Sequence, residues 1–575
     1  MRRLHALLLL ALAAACAREP AQTQRTAAAA PAARRVIFVG LDGGDWQLLD
    51  RFVADGTMPN LAALVRDGER TTLRTQHPPL SPLVWTTMMT GVSPLEHRIL
   101  DFTRFHPVTR QKEPITSDER AVPAIWNMVS TAGKRVAVYG LWATYPAEAV
   151  NGTLVSDRLF LFQYDAPPPP GAVFPEAQQA FATAAMQNIA ATTGYDALHH
   201  FVAELTPAEY ERAAANPNPF ADPATALRRI LIETETMHRL ARAGIEREHP
   251  DLAIVYFQGT DAVGHLFAPY FPPKLPSISE RDFARYHEVP RLYFQRIDAI
   301  LGDYRRLAAA TGAQLVIASD HGFRWIDGRS PVSSTAVATA AKWHRDEGIF
   351  LHWPRTGLSA TSVTQICPTL LQLLGMSTDV ASHRRAFRRV SARTQVVNAA
   401  ANEELAKLQA LGYLGDGERS RGTGTSTRTA GSFNNEGLIL REAGRDDDAA
   451  GAFTAALAVD PKSASAMWNL SELLRKKHDP RADALLDQAL AIDGDEPRWL
   501  LTRGRFRLER HDCRAALADF QRAVELTPDD PLAHASVGTA EACLGDEEAA
   551  RAAFARSLAL DPTQSGLRAA LGRSR

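Results

Sequence analysis

The chain has 575 residues, which favours more than one domain, and a formal charge of −1, which leaves no basic surplus for a nucleic-acid partner. Hydrophobic residues make up 45%, ample for a packed core. Its four cysteines are too few to staple so long a chain into a disulfide scaffold.

The N-terminus reads as an export signal. Arg2 and Arg3 supply the charged start, Leu4 to Leu12 the apolar core, and Ala13-Ala14-Ala15 precede Cys16. That core is far short of the ~20 apolar residues needed to span a bilayer. Leu12-Ala13-Ala14-Ala15-Cys16 resembles a bacterial lipobox, which implies a signal peptide over 1–16 and a lipid on Cys16. Ala17 in place of Asp implies an outer-membrane lipoprotein facing the periplasm; the plainer alternative is secretion with cleavage nearby. Residues 17–34 are rich in Ala, Pro, Thr and Gln and read as a flexible tether.

From Arg35 to about Leu374, strand-like apolar runs alternate with amphipathic stretches, predicting an α/β fold with a mostly parallel sheet and helices on both faces. Three acid or acid/His clusters follow such runs: Asp42 after Val36 to Leu41, Asp261 and His265 after Leu252 to Phe257, and Asp320 and His321 after Leu315 to Ser319. Open α/β sheets bind ligands beyond the carboxyl ends of their strands, so distant clusters meet there. Carboxylate with imidazole is a zinc-type donor set, and there is enough of it for two divalent ions. A metallohydrolase is the first expectation. Ser81, after His77-Pro78-Pro79-Leu80 and before Pro82, stands at a helix start and is the candidate nucleophile; taken alone it would be only a cap. Residues from about 163 to 249 interrupt the alternation and read as an inserted cap, or as a long helical surface insertion. Ala124 to Ala132, Thr369 to Leu374 and Glu403 to Leu414 read as helices, and residues 416–429 as a Gly/Thr/Ser linker closing a hydrolase unit over 35–415.

Residues 430–575 repeat. Pro461, Gly494, Pro528 and Pro562 recur at intervals of 33, 34 and 34. Ahead of them lie Ala449-Phe453-Ala456, Ala482-Leu486-Ala489, Ala516-Phe520-Ala523 and Ala550-Phe554-Ser557, with Gly437, Gly504 and Gly538 where paired helices approach closely. This is the tetratricopeptide period and pattern, predicting an all-α solenoid that docks a protein partner. Cys513 and Cys543 fall at neighbouring helix ends of such a stack; two free thiols is the favoured reading and a disulfide the alternative. Cys367 has no evident partner.

The segment Ser81 to His97 resembles the nucleophile segment of the alkaline-phosphatase superfamily, within it the type I phosphodiesterase/nucleotide pyrophosphatase branch. Gly40 to Gly44, Thr260 to His265, Ser319 to Phe323 and Trp343 to Gly348 match further motifs in the family's order, covering about Arg35 to Leu374. The resemblance implies two zinc sites, one of Asp42, Ser81, Asp320 and His321, the other of Asp261, His265 and His344. It also implies a phosphoester hydrolase that forms a phosphoseryl enzyme on Ser81. His97 reads as structural, His199 and His200 as surface residues, and Asp101 and Lys342 as weak candidates for the site lining.

Two departures bear on substrate. Nucleotide pyrophosphatases carry an Asn after the nucleophile, and none occurs from Ser81 to His97. Pro82 removes the backbone N–H next to Ser81. A sulfatase signature is also absent, because Leu83 and Trp85 stand where it needs Pro and Arg. The competing expectations are a phosphotransferase or sulfohydrolase on the same scaffold, or a non-catalytic repeat scaffold.

Overall fold

The structure, a computed structural model, describes residues 35–568 except 161–166, 217–219, 221, 327, 333–339, 385–403, 410, 412, 415–425 and 495. The leader and tether, Cys16 included, and most of the linker lie outside the described residues.

Eight strands form the main sheet: β1 (Val36–Leu41), β2 (Glu69–Arg74), β3 (Val136–Tyr139), β4 (Gly152–Val155), β5 (Val173–Phe174), β6 (Leu252–Phe257), β7 (Gln314–Ala318) and β8 (Glu347–Trp353). Their order is β2-β8-β7-β1-β6-β3-β4-β5. The five strands from β7 to β4 are mutually parallel, while β8 and β5 run antiparallel to their neighbours. The mostly parallel α/β expectation holds.

The central strands are apolar throughout because both faces are covered. Ile37, Val39 and Leu41 face a core shared with helices Trp46–Ala54, Pro59–Asp67, Pro223–Glu248 and Val289–Thr311. Val36 and Phe38 face a second core against helices Ser81–Thr90, Ile125–Thr131 and Ile366–Leu373. Each fully buried Leu, Ile or Phe side chain contributes about 1.5–3 kcal/mol. The stretch expected as a cap supplies β5 and several helices. Its last helix, Pro223–Glu248, lies on the sheet, with Leu227, Leu231 and Leu240 in the same core as Val255. The late helix expected over Glu403 to Leu414 is shorter: residues 404–409 are helical, and the chain then turns so that Leu411 and Leu414 reach different cores.

Beyond residue 430 the described residues form four antiparallel helix pairs, from Ala430–Glu442 with Asp446–Val459 to Pro531–Leu544 with Glu547–Leu560. An added Cβ at Gly437, Gly504 or Gly538 would collide with the ring of Phe453, Phe520 or Phe554, so the glycines set the helix spacing. The array also grips the unit that carries the sheet. Asn435 Nδ2 donates to the Leu100 carbonyl at 2.8 Å, Thr429 donates to the Asp101 carboxylate, and Lys342 pairs with Glu496. The favoured reading of free thiols is corrected. Cys513 and Cys543 form a disulfide, because stacking brings their helix ends to a Cα separation of 5.8 Å. Cys367 is free and buried.

Candidate active site

Strand register assembles the site. Val36 pairs with both Leu252 and Gln314, and Gly40 with both Tyr256 and Ala318, so β1, β6 and β7 end level. Asp42 leaves β1 with its N–H on the Phe257 carbonyl at 3.1 Å, and Thr260 Oγ1 donates to the Asp42 carbonyl at 2.5 Å. Gly43 then turns at φ +62°, donating its N–H to Asp320 Oδ1 at 3.3 Å. A Cβ at Gly43 would stand 3.0 Å from Asp261 Oδ1, so a bare, left-handed residue is required there.

Asp261 and His265 sit four residues apart on helix Gly259–Phe267, hence on one face, with Nε2 3.3 Å from Oδ2. His344 belongs to a two-residue strand, His344–Arg345, paired antiparallel with Gly322–Phe323 beside Asp320 and His321. Asp45 ties this hairpin to the end of β1, accepting from the Phe323 N–H at 3.0 Å and Arg345 Nη1 at 2.7 Å. Ser81 opens helix Ser81–Thr90 with Pro82 behind it, and its hydroxyl donates to Asp42 Oδ1 at 3.4 Å. Seven residues from Asp42 to His344 are thereby brought together, none of them more than 4% exposed.

Within this cluster, Asp42, Asp320 and His321 offer ligand atoms within 4.8 Å of one another, as do Asp261, His321 and His344. His321 thus borders both groups. His265 Nε2 lies 3.2 Å from His344 Nε2. Burial, then the charges of Asp320 and Asp261, pushes the Asp42 carboxyl well up. Burial pushes Asp320 up to about 7, with the charge of Asp261 adding to it against the hydrogen bond from Asp42. Burial also opposes ionisation of Asp261, but His265, then His344 and His321, hold it below the usual carboxylate range. Burial, then His321, keeps His344 well below an ordinary imidazole. Asp261 Oδ1, Asp320 Oδ2, His321 Nε2 and His265 Nδ1 are buried without a hydrogen bond. Three clustered carboxylates taken from water need compensating positive charge, and the three imidazoles, at least one of them held neutral, supply too little. The donor set therefore fits divalent cations.

A family profile described as type I phosphodiesterase / nucleotide pyrophosphatase matches residues 36–409. The chain belongs to this family. A tetratricopeptide repeat profile matches residues 434–497 and 501–565. Over 61 residues the chain is 44% identical to the Hsp70-Hsp90 organizing protein of Triticum aestivum, spanning 11% of this chain and 10% of that relative's length. Among solved structures, MamA is 20% identical over 23% of this chain and 77% of its own, at a TM-score of 0.22. Pseudomonas aeruginosa PilF is 25% identical over 24% and 64%, at a TM-score of 0.23.

Other features of this phosphodiesterase domain were not legible beforehand. Tyr256 donates to Asp42 Oδ2, and Tyr413 donates to Asp261 Oδ2 at 2.6 Å. Tyr256 is the next-to-last residue of β6 and passes for a core aromatic, and Tyr413 falls past the strand-and-helix alternation; neither carries a spacing signal. Asp45 has one, as the N-cap of helix Trp46–Ala54. The remaining candidates lie elsewhere. His97 is a core histidine between Thr87 Oγ1 (2.9 Å) and the Ile99 N–H (3.1 Å). His199 and His200 are exposed, and Asp101 and Lys342 hold the repeats.

Proposed function

We propose that this protein is a two-metal phosphoester hydrolase, acting by preference on phosphodiesters through a phosphoseryl intermediate on Ser81. What supports this reading above all is the Ser81 hydroxyl standing 3.4 Å from Asp42 inside a buried cluster of carboxylates and imidazoles. Asp42, Ser81, Asp320 and His321 would hold one ion, and Asp261, His265 and His344 the other, zinc being the ion that suits mixed imidazole and carboxylate donors. Such ions supply neutralisation of phosphoryl charge and activation of a hydroxyl or water.

The helix start holds the Ser81 hydroxyl against Asp42, with Pro82 preset for the first helical turn. Ser81 Oγ forms the new P–O bond, and the alcohol departs with the serine proton. Water then cleaves the Ser81 ester and restores the hydroxyl. Because Pro82 offers no backbone N–H and no Asn follows in the segment to His97, two potential donors to a phosphoryl oxygen are missing. That weighs against nucleotide specificity.

The tetratricopeptide array would dock a protein partner. The N-terminal sequence supports export, with Cys16 lipidated and the mature protein tethered at the outer membrane facing the periplasm. The test is zinc content together with turnover of a bis-aryl phosphate, a mono-aryl phosphate and an aryl sulfate. Two ions and preference for the diester support the reading. Sulfate turnover moves the assignment to a sulfohydrolase, and no turnover by a repeat array that still binds a partner moves it to a scaffold.

A further inference from the structure

The family match ends at residue 409, yet a side chain from beyond it reaches the cluster. The Tyr413 hydroxyl donates to Asp261 Oδ2 at 2.6 Å and lies 3.0 Å from His265 Nε2. Its ring centroid is 5.2 Å from that of His265 and 6.1 Å from that of His344. The two oxygens of Asp261 are therefore unequal. Oδ2 is occupied by Tyr413, whereas Oδ1 makes no hydrogen bond and faces His344 Nε2 at 3.5 Å.

The described residues on either side of Tyr413 are held by packing and an ion pair. Residues 404–409 are helical, and Lys407 pairs with Glu233 at 3.0 Å on the sheet helix Pro223–Glu248. Leu408 and Leu414 are buried in one core and Leu411 in the other, while the Tyr413 N–H donates to the Leu408 carbonyl at 2.8 Å. Phe102 lies against the ring at a centroid distance of 4.4 Å, directly after Leu100 and Asp101, which the repeats hold. The ring is clamped by packing and its hydroxyl meets two candidate ligands, Asp261 and His265; hydrogen bonds from outside the ligand set orient metal-binding groups in this way.

We propose that Tyr413 is a positioning residue of the second metal pocket, holding Asp261 by Oδ2 so that Oδ1 stays turned toward the ion. This rests on the two-metal reading. It makes Tyr413 part of the site, although it lies outside the family's matched span.

Tyr413→Phe in the full-length chain keeps the ring and removes the hydroxyl. Zinc affinities are measured by chelator competition, with kcat followed as free zinc is raised and melting recorded on the metal-free protein. The expected result is one unchanged zinc affinity and one weakened about 10–100-fold. The kcat deficit should be rescued by excess zinc, and metal-free melting should be unchanged. Two zinc ions bound as tightly as in the unaltered protein would overturn the proposal alone. A marked fall in metal-free melting, or misfolding, would overturn it too, assigning Tyr413 to packing. If the unaltered protein takes up fewer than two ions, the two-metal reading fails first and this inference falls with it.

Discussion

His321 and His344 lie face to face, their ring centroids 3.7 Å apart and their planes within 16° of parallel. His321 Nδ1 faces the Gly322 carbonyl at 3.0 Å, and His344 Nδ1 faces the Pro79 carbonyl at 2.8 Å. A carbonyl only accepts, so each Nδ1 carries a proton, and each Nε2 is the ring atom turned toward the acids. Buried imidazoles stacked this closely repel if both are charged, which agrees with the depressed affinity of His344 for a proton.

Because His321 borders both ligand groups found among the described residues, its loss should reach both proposed pockets. His321→Ala should lower metal affinity at both positions by more than the ~10–100-fold typical of an outer hydrogen bond. Metal analysis after dialysis checks this. Loss confined to one ion would show that the pockets are independent.

Ser81→Ala tests the nucleophile apart from the metals. The carboxylates and imidazoles remain, so most of the metal should stay bound while kcat falls by roughly 10³-fold or more, the order seen when a covalent nucleophile is removed. Steady-state rates with metal content on the same sample decide it. A tenfold loss or less would assign Ser81 to helix capping.

In the repeats, Gly504→Ala should place a methyl group against the Phe520 ring, which is buried between the paired helices. Overpacking of this kind costs about 1–3 kcal/mol, and denaturant unfolding monitored for the repeats should show it. A neutral effect would mean that the helix pair separates readily.

His97 provides the acid signature of the fold. Burial, then Arg120, pushes its pKa down to about 3 from an ordinary value near 6.5. Between those values the unfolded chain binds a proton that the native state does not. Its stabilising contribution is therefore complete above about pH 6.5 and is lost as pH falls toward 3, at up to about 1.4 kcal/mol per pH unit. His97→Gln should flatten the stability–pH curve over that window relative to the unaltered protein. Equal slopes would mean that His97 titrates normally.

The residues of the cluster were legible because each follows or begins an element with a strong pattern. Asp42 comes straight after an apolar run, Asp320 and Asp261 follow theirs within one turn, and Ser81 precedes a proline that marks a helix start. Equal register across β1, β6 and β7 does the rest, so the sequence position of a strand end is its position in space. The repeats were legible through period and the glycine–aromatic pairing of Gly437 with Phe453. Tyr256 and Tyr413 were not, because an aromatic in an apolar run looks like packing until its hydroxyl is seen on a carboxylate. The grip of the repeats on Leu100 and Asp101 was also hidden, since single hydrogen bonds between distant segments leave no periodic trace. The disulfide depended on how far two helix ends are staggered, which a repeat length alone leaves open.

The central claim is that a buried cluster of acids and histidines activates Ser81 toward phosphorus with two metal ions in place. The most direct measurement is to quench the zinc-loaded protein in acid during turnover of a phosphoester and locate the phosphoryl group by peptide mass spectrometry. The account predicts two zinc ions per chain and a phosphoryl group on Ser81, absent from Ser81→Ala. Turnover with no covalent adduct, an adduct on another residue, or full activity in protein stripped of metal would contradict it.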